Sequence, residues 1–383
     1  MKNILSIKNL IVRFYTYEGI VKALDGVNLD IREGETLGLV GETGCGKSVT
    51  SLSVLALVPP PGKIEGGNVI LQTEDGSFDL LNQDEKFLRS IRGREISMIF
   101  QEPRAALNPV YSVENQIAEV LLQHRRKEFC KSALEQIEND LSKGSYKDFI
   151  YKFERKIYQK MLDNPNSFSL RILSRIPIMR RYQRRSKTEA KKEVIRILRE
   201  MKLADPERVA EMYPHELSSG MAQRVVIAMA LGCSPYLLIA DEPTTNLDVT
   251  IQAQILQLIG ELKEKFESSV LYITHDLGVI AELCDRVAVM YAGNVCEIAD
   301  VFEIFKKPLH PYTQALLESI PRPGEKFSSI EGEVPGLVNP PPGCRFNPRC
   351  PKAMELCTLK KPMLTEAEKD HFVMCHLYSG SSK

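Results

Sequence analysis

A glycine-rich segment that ends in a lysine and a hydroxyl side chain is the most chemically informative part of this 383-residue sequence. It matches the pattern G-x-x-x-x-G-K-[ST] and reads Gly41, Glu42, Thr43, Gly44, Cys45, Gly46, Lys47 and Ser48. In such a loop the backbone N–H groups point at phosphate oxygens, the lysine reaches the β- and γ-phosphates, and the hydroxyl binds Mg²⁺. We therefore predict that residues 41–49 bind ATP and Mg²⁺.

The residues on either side provide the context that such a loop needs. Residues 37–40 form a short apolar run that predicts a buried strand, and residues 48–57 have the spacing of a helix. The N-terminus of that helix, where Val49 stands, adds a dipole that favours an anion. We interpret Cys45 as a small filler of the loop rather than a nucleophile.

A second apolar run, at residues 237–240, ends in two carboxylates, Asp241 and Glu242. Taken alone, this pattern is equally typical of a strand that ends in an acidic turn. Together with a phosphate-binding loop, it predicts that Asp241 contributes to the Mg²⁺ site and that Glu242 polarises the attacking water as general base. Helical spacing over 251–266 and an apolar run at 269–274 indicate a βαβ unit.

Four further stretches, in the same order along the chain, resemble the motifs of ABC ATPases. Gln101 after an apolar run resembles the Q-loop, and His275 resembles the switch histidine. The other two are the stretch that resembles the signature, Ser218, Ser219, Gly220 and Met221, and the stretch that resembles the D-loop, Asn246, Leu247 and Asp248. Ser219 is a departure, because the family usually carries a glycine there.

The resemblance implies a mechanism in which two ATPase domains pack head to tail, with each ATP between one P-loop and the partner's signature. Ser218 and Gly220 would then contact the γ-phosphate across the interface, and Asp248 would belong to the same nucleotide site. His275 would hold the γ-phosphate and the attacking water beside the catalytic Glu242 and Lys47. Gln101 would sense Mg²⁺ as one of its ligands.

An aromatic side chain is expected to stack on the adenine ring. Tyr17 is our choice from its place in the first strands, and Tyr15 is the second candidate. Ordinary surface packing is the alternative for both side chains.

Longer strings resemble the ATP-binding subunits of dipeptide and oligopeptide permeases; they lie at 98–103, 107–109, 213–217, 248–254 and 310–313. The resemblance implies two transmembrane permease subunits as partners, together with a second homologous ATP-binding subunit or a second copy of this chain. An external binding protein would deliver the cargo, and the chain would sit peripherally at the cytoplasmic face of the membrane. We expect no nucleic acid partner.

Other functions remain open at this stage. The same subfamily includes oligosaccharide and nickel importers, and nothing in the sequence selects the cargo. An ABC ATPase that acts on nucleic acid or ribosomes is the alternative of another class, favoured only by a basic insertion at about 126–188. Basic residues cluster at the end of this insertion: Arg171, Arg175, Arg180, Arg181, Arg184, Arg185, Lys187, Lys191 and Lys192. The insertion either contacts anionic lipid or an acidic partner, or is a solvated helical extension.

Four cysteines near the C-terminus, Cys344, Cys350, Cys357 and Cys375, form a candidate metal site. Four thiolates can hold a [4Fe–4S] cluster or one Zn²⁺, and the absence of a C-x-x-C pair argues against a zinc knuckle. This tail also resembles the C-terminal extension of peptide permease ATPases, which is associated with an iron–sulfur cluster. Zinc and the absence of any metal remain alternatives, and a structural role is favoured over electron transfer.

The predicted fold is α/β, of the P-loop NTPase ABC ATPase type, with a RecA-like core and an antiparallel β subdomain. Residues 1–300 are expected to form the nucleotide-binding domain, with a helical subdomain inserted at about 102–214. Residues 301–383, which are rich in proline, are expected to form a separate, loop-rich extension with the four cysteines. No run of about 20 apolar residues is present, so no membrane span is expected.

Overall fold

The computed structural model describes residues 2–144, 148–164, 167, 170, 184–320 and 330–379. The chain divides into two compact units. The first, here called the sheet unit, comprises Met1–Gln101, Pro235–Thr245 and Gln252–Lys383. The second, here called the helical unit, comprises Glu102–Ser234 and Asn246–Ile251.

Among the described residues, all the strands lie in the sheet unit. They are β1 (Asn3–Thr16), β2 (Gly19–Arg32), β3 (Thr36–Val40), β4 (Gly62–Thr73), β5 (Gly76–Asp79), β6 (Ile96–Ile99), β7 (Leu237–Asp241), β8 (Ser269–Ile273), β9 (Arg286–Tyr291), β10 (Asn294–Asp300), β11 (Thr365–Glu368) and β12 (His371–Val373). They form a four-stranded antiparallel sheet in the order β2-β1-β4-β5 and an eight-stranded sheet in the order β11-β12-β10-β9-β3-β8-β7-β6. In the larger sheet β9, β3, β8, β7 and β6 are parallel neighbours. Every residue of β3, β7 and β8 is buried, as expected of central parallel strands.

The helices fall in both units. They are α1 (Lys47–Val54), α2 (Glu85–Ile91), α3 (Pro103–Ala106), α4 (Val113–His124), α5 (Arg126–Ser142), α6 (Asp148–Asp163), α7 (Arg184–Glu200), α8 (Pro206–Glu211), α9 (Ser219–Leu231), α10 (Val249–Phe266), α11 (Leu277–Leu283), α12 (Val301–Lys306), α13 (Pro311–Glu318) and α14 (Glu355–Leu359). Short 3₁₀ turns lie at Leu80–Asn82, Pro214–Glu216, Asn347–Arg349 and His376–Tyr378. Within the described residues, no helix is both long enough and apolar enough to cross a membrane.

The helical unit reaches further along the chain than the predicted end at about residue 214. Helix α9, which lies beyond that predicted end, belongs to it. The reason is packing: the Arg224 guanidinium donates to the carbonyl of Met201 at 2.6 Å, and Arg125 donates to the carbonyl of Gly232, just after α9, at 3.4 Å. Helix α9 therefore packs with the other helices of this unit.

The predicted basic insertion folds as helices with a small core of their own. Helices α5 and α6 bury Cys130, Ile137, Ile157 and Tyr158 against one another. Arg185 pairs with Asp140 and Glu154, and Lys191 and Lys192 pair with Glu114 and Glu189. Part of the basic cluster is therefore neutralised within the chain. Arg171, Arg175, Arg180 and Arg181 lie outside the described residues.

The C-terminal segment differs from its predicted separate, loop-rich form. Strand β12 pairs with β10, with Glu297 opposite Val373 and Ile298 opposite Phe372, and β11 continues the same sheet. The segment is therefore continuous with the central sheet. Two strands of four and three residues are too short to give a periodic pattern within a proline-rich composition.

Candidate functional site

The carboxyl ends of four parallel strands bring the predicted site residues of the sheet unit to one edge. The glycine-rich loop follows β3, Gln101 lies two residues after β6, Asp241 ends β7, and His275 lies two residues after β8. Because the strands are parallel and adjacent, these positions meet at the same edge of the sheet.

The loop itself needs glycine where the prediction placed it. A Cβ atom on Gly41 would lie 2.1 Å from the carbonyl oxygen of Met290, and Gly46 precedes α1 in the left-handed region, with φ of 105°. Gly44, at φ of 79°, has no atom within 4 Å of an added Cβ, so its backbone faces open space. The loop therefore exposes backbone to a ligand on one side while packing tightly on the other.

Lys47 is held by the loop that it completes. Its ammonium group donates to the carbonyl oxygens of Gly41 at 2.8 Å and Glu42 at 3.2 Å, and the residue is only 6% exposed. Cys45 is 1% exposed, and burial raises the pKa of its thiol. A buried, protonated thiol fits the interpretation of Cys45 as a filler of the loop.

Ser48 and Asp241 place a hydroxyl and a carboxylate in hydrogen-bond contact with one another. Burial raises the pKa of the Asp241 carboxyl, although the hydrogen bond with Ser48 and the charge of Lys47 act in the opposite direction. A divalent cation beside this carboxylate would offset the cost of burying its charge. The oxygen donors therefore suit Mg²⁺, which binds through one or two carboxylates together with the phosphates of its substrate.

Glu242 is contacted on both carboxylate oxygens. Gln101 donates its amide N–H to Oε2 at 2.9 Å, Thr245 donates its hydroxyl to Oε2 at 3.1 Å, and Nδ1 of His275 lies 3.2 Å from Oε1. The backbone of Glu242 is in the left-handed region, with φ of 46°, and its N–H donates to Ile273 at 2.9 Å. The arrangement holds a carboxylate at a defined position, as a general base requires.

Sequence reasoning missed Thr245. A hydroxyl three residues beyond the second carboxylate, in the turn that follows β7, was the available signal. The structure brings together the residues predicted for phosphate, Mg²⁺ and the general base: the loop with Lys47, the Ser48–Asp241 pair, and Glu242 with Gln101 and His275.

Two family models match the chain. The model for the ABC transporter family matches residues 24–245, and the model for the oligopeptide/dipeptide transporter C-terminal region matches residues 296–357. Among curated proteins, the dipeptide transport ATP-binding protein DppD of Bacillus subtilis is 42% identical over 98% of this chain and 95% of its own length. The oligopeptide transport ATP-binding protein AppD of the same organism is 42% identical over 99% and 98%.

The chain belongs to the ABC transporter family. A solved dimeric structure of MJ0796, a bacterial ABC transporter cassette, has a TM-score of 0.54 at 25% identity and covers 78% of this chain and 98% of its own. The predicted α/β ABC ATPase fold is therefore confirmed, and so is the prediction that the chain is an ATPase. As in other members of the family, its cofactors are ATP and Mg²⁺.

The aromatic candidates for the adenine of this ABC ATPase are in different environments. Tyr17 stands in the turn between β1 and β2 and is 97% exposed. The hydroxyl of Tyr15 donates to Glu65, and the ammonium of Lys63 lies 5.4 Å from the centroid of its ring. The ring of Tyr17 is therefore the more accessible of the two.

The stretches that resemble the ABC signature and D-loop lie in the helical unit, at the starts of helices. Ser218 precedes α9 and accepts a hydrogen bond from the N–H of Met221 at 3.3 Å. Asp248 precedes α10 and accepts one from the N–H of Ile251 at 3.0 Å. A Cβ on Gly220 would lie 3.0 Å from a methyl group of Ile251, so this glycine permits close packing.

The four C-terminal cysteines are buried or half-buried neighbours. Burial raises the pKa of Cys344 to about 11, and the other three cysteines contribute to the increase. Burial also raises the pKa of Cys350 and Cys375, and nearby cysteines again contribute. The backbone N–H of Cys344 donates to the carbonyl of Cys357 at 2.8 Å. The four thiols are therefore close enough to influence one another's charge.

The spacing of these thiols can be compared with the requirements of a metal. Within the described part of the chain, one group of three potential metal ligands has its ligand atoms within 4.8 Å of one another. It consists of Glu303, Glu368 and His371 and includes none of the cysteines. In that group Lys307 pairs with Glu368, and His371 lies 2.7 Å from Glu297. Four thiolates on one Zn²⁺ would stand about 3.8 Å apart, given Zn–S bonds of about 2.3 Å. No three of the four cysteine sulfurs lie within 4.8 Å of one another.

Proposed function

We propose that this chain is the ATP-hydrolysing subunit that powers an importer of dipeptides or oligopeptides. The observation that carries the proposal is the match of residues 296–357 to the oligopeptide/dipeptide transporter C-terminal region. The ABC match alone would suit any cargo. Near full-length identity of 42% to proteins named for dipeptide and oligopeptide transport adds support.

Within this function the residues at the sheet edge have separate roles. The loop from Gly41 to Val49 holds the phosphates through its backbone N–H groups and Lys47. Ser48, Asp241 and the amide oxygen of Gln101 would hold Mg²⁺, which neutralises phosphate charge when bound. Their oxygen atoms and position at the sheet edge support this role.

Hydrolysis depends on Glu242 and His275 at the same edge of the sheet. Glu242 accepts a proton from the attacking water, and His275 orients the water and the γ-phosphate. The hydrogen bonds from Gln101, Thr245 and His275 support this role, because they fix the base before substrate arrives. The exposure of Tyr17 supports its role as the adenine-stacking residue.

The proposed assembly is a dimer of ATPase domains beneath two transmembrane permease subunits, peripheral to the cytoplasmic face of the membrane. The second ATPase is a homologous subunit or a copy of this chain, and an external binding protein delivers the peptide. Ser218, Gly220 and Asp248 would then complete the nucleotide site of the partner. The dimeric form of the solved ABC transporter cassette supports this arrangement.

The proposed domain organisation is a nucleotide-binding domain at 1–300, with helices inserted from about 102 to 214 and a basic insertion at about 126–188. Residues 301–383 form the extension typical of oligopeptide permeases. The presence of helices α3 to α8 in the helical unit supports the inserted subdomain.

The four cysteines are proposed to hold a [4Fe–4S] cluster that stabilises the C-terminal segment. The proposal is supported by the grouping of four cysteines, whose thiols contribute to one another's raised pKa. Four thiolates are the usual ligand set of such clusters.

The cluster is tested by purifying the protein without oxygen and assaying iron, sulfide, zinc and absorbance near 400 nm. We expect iron and sulfide, both lost in Cys350→Ser and both retained in Cys233→Ser, a cysteine outside the group. Zinc alone, or no metal in the wild-type protein, would refute the cluster.

The transport function is tested in cells of the source organism from which the gene has been deleted. We expect loss of uptake of a labelled dipeptide or tetrapeptide, restored by the wild-type gene and by Glu264→Gln but not by Glu242→Gln. Selective loss of disaccharide or Ni²⁺ uptake would replace the peptide assignment. ATP hydrolysis stimulated by RNA, with normal peptide uptake, would favour the nucleic acid alternative.

A further inference from the structure

A carboxylate lies inside the loop that binds the phosphates of ATP. Glu42 is the second residue of this loop, directly after Gly41, and its side chain is only 26% exposed. An unpaired carboxylate at this position would repel an incoming triphosphate, and partial burial would strengthen that repulsion. The loop therefore needs a nearby positive charge other than Lys47, whose ammonium group is held by the loop carbonyls.

Arg349 supplies that charge from the C-terminal segment. One terminal nitrogen of its guanidinium donates to both carboxylate oxygens of Glu42, each at 3.1 Å, and to the hydroxyl of Tyr291 at 3.2 Å. The other nitrogens donate to the carbonyls of Glu331 at 3.0 Å and Ile330 at 3.3 Å. The arginine side chain is 5% exposed, so solvent and salt screen this pair less than a surface pair.

The same segment also fixes the backbone of the loop. The N–H of Glu42 donates to the hydroxyl of Tyr312 at 3.0 Å. The rings of Tyr312 and Tyr291 have centroids 4.6 Å apart, and both pack on Phe346, at 5.4 Å and 5.1 Å. Phe346 is three residues before Arg349 and is 1% exposed. The side chain and the backbone of Glu42 are therefore both anchored by groups packed around the cysteine-bearing segment.

We propose that Arg349 is a positioning residue for ATP binding, which neutralises Glu42 and so makes phosphate affinity depend on the C-terminal segment. The proposal requires only that the chain binds ATP, and it holds whatever the cargo. Arg349 also directly precedes Cys350, so any change that reorganises the cysteines is expected to reach the phosphate-binding loop. By linkage, ATP binding stabilises this segment to the same extent.

The test is a charge-rescue cycle with Arg349→Met and Glu42→Gln, measured as the Kd of a fluorescent ATP analogue with Mg²⁺. Arg349→Met leaves the half-buried Glu42 charge unpaired, so we expect Kd to rise about tenfold. Glu42→Gln removes the repulsion, so the double variant is expected to return to within about twofold of the wild-type Kd. Lys352→Met, which removes a cation from the exposed surface of the same segment, is the matched control and is expected to leave Kd unchanged.

A purely structural role for Arg349 gives a different pattern. If the arginine only stabilised the segment, the double variant would bind as weakly as Arg349→Met, and melting temperature would fall in parallel with affinity. The proposal also requires that KM for ATP rises while kcat stays near its wild-type value. An unchanged Kd in a folded Arg349→Met protein, or the absence of rescue by Glu42→Gln, would overturn it.

Discussion

The carboxyl edge of the parallel sheet and the C-terminal segment both adjoin the nucleotide loop, but they are encoded in different ways. At the edge, each functional side chain lies within a few residues of the strand that positions it. In the C-terminal segment, Arg349 reaches Glu42 across 307 positions of the chain. The catalytic side chains at the edge are therefore positioned by neighbouring residues in the sequence. The contacts that hold the nucleotide loop depend on tertiary packing between distant parts of the chain.

The largest expected effect comes from a substitution that inactivates the carboxyl edge of the sheet and leaves the C-terminal segment unchanged. Replacing Glu242 with Gln preserves shape but removes the proton acceptor, so we expect ATP hydrolysis to fall by about 100- to 10,000-fold. Binding of ATP should remain, because Lys47 and the loop backbone are unchanged. Phosphate release measures the first effect, and titration with a fluorescent ATP analogue measures the second.

The matched control for this experiment is Glu264→Gln, the same chemical change on the exposed surface of α10. It is expected to leave hydrolysis and binding unchanged. Retention of more than a tenth of wild-type turnover in Glu242→Gln would show that another group serves as the base.

The site at the carboxyl edge could be predicted from the sequence because each of its motifs lies within a few consecutive residues. Strand β3, the loop and helix α1 were predicted to within a few residues, and Asp241 was placed at the end of a strand. Thr245 was missed because a hydroxyl in a turn has no distinctive spacing. Strands β1 and β2 are 14 residues each, and the sequence gives no bounds for them, since cross-strand pairing rather than a local apolar pattern sets their length.

The C-terminal segment could be predicted only in part. Its four cysteines could be picked out as a candidate group, because a shared residue type is visible without structure, and their metal site stays a prediction. Its strands β11 and β12, and the contact of Arg349 with Glu42, were not predicted. Nothing local distinguishes this arginine from other arginines of the chain, since its partner lies at the opposite end of the sequence.

The second prediction concerns a substitution that disrupts packing in the C-terminal segment. It tests whether the nucleotide site at the carboxyl edge is affected. Phe346 is 1% exposed and packs on Tyr291, Tyr312 and His310. Its replacement by Ala should leave a cavity and lower the free energy of unfolding by about 3–5 kcal/mol. Because the two tyrosines contact Glu42 or its arginine partner, we also expect the KM for ATP to rise. Denaturant unfolding and steady-state hydrolysis measure these two effects.

Leu356→Ala is the control for the packing change, because Leu356 is 45% exposed in the same segment. It should change the free energy of unfolding by less than about 0.5 kcal/mol. If Phe346→Ala lowered stability as expected but left the KM for ATP unchanged, the edge and the segment would be energetically independent.

The smallest expected effect concerns an ion-pair cluster between β2 and the segment. Asp25 pairs with Arg13 at 2.6 Å, Lys361 at 3.0 Å and Arg345 at 3.3 Å. Burial alone would raise the pKa of Asp25, but the hydrogen bonds from Arg13 and Lys361 outweigh it and lower the pKa to about 2. Because the folded pKa lies below the unfolded value of about 3.9, the charged form stabilises the folded state.

The stability effect of Asp25→Asn at different pH values tests whether ion pairs connect the two regions. Lys361 and Arg345 belong to the C-terminal segment, whereas Asp25 belongs to the nucleotide-binding part of the sheet unit. The stabilisation is fully present above about pH 4 and is lost as pH falls towards about 2, through the folded pKa. We expect Asp25→Asn to cost about 1 kcal/mol at pH 7, after allowance for solvent screening, with the difference from wild type shrinking below pH 4. Denaturant unfolding at a series of pH values measures it. If the difference in unfolding free energy between wild type and Asp25→Asn stayed constant down to pH 2, the charge of Asp25 would not contribute to the stability of this contact. Packing would then account for the contact between the segment and β2.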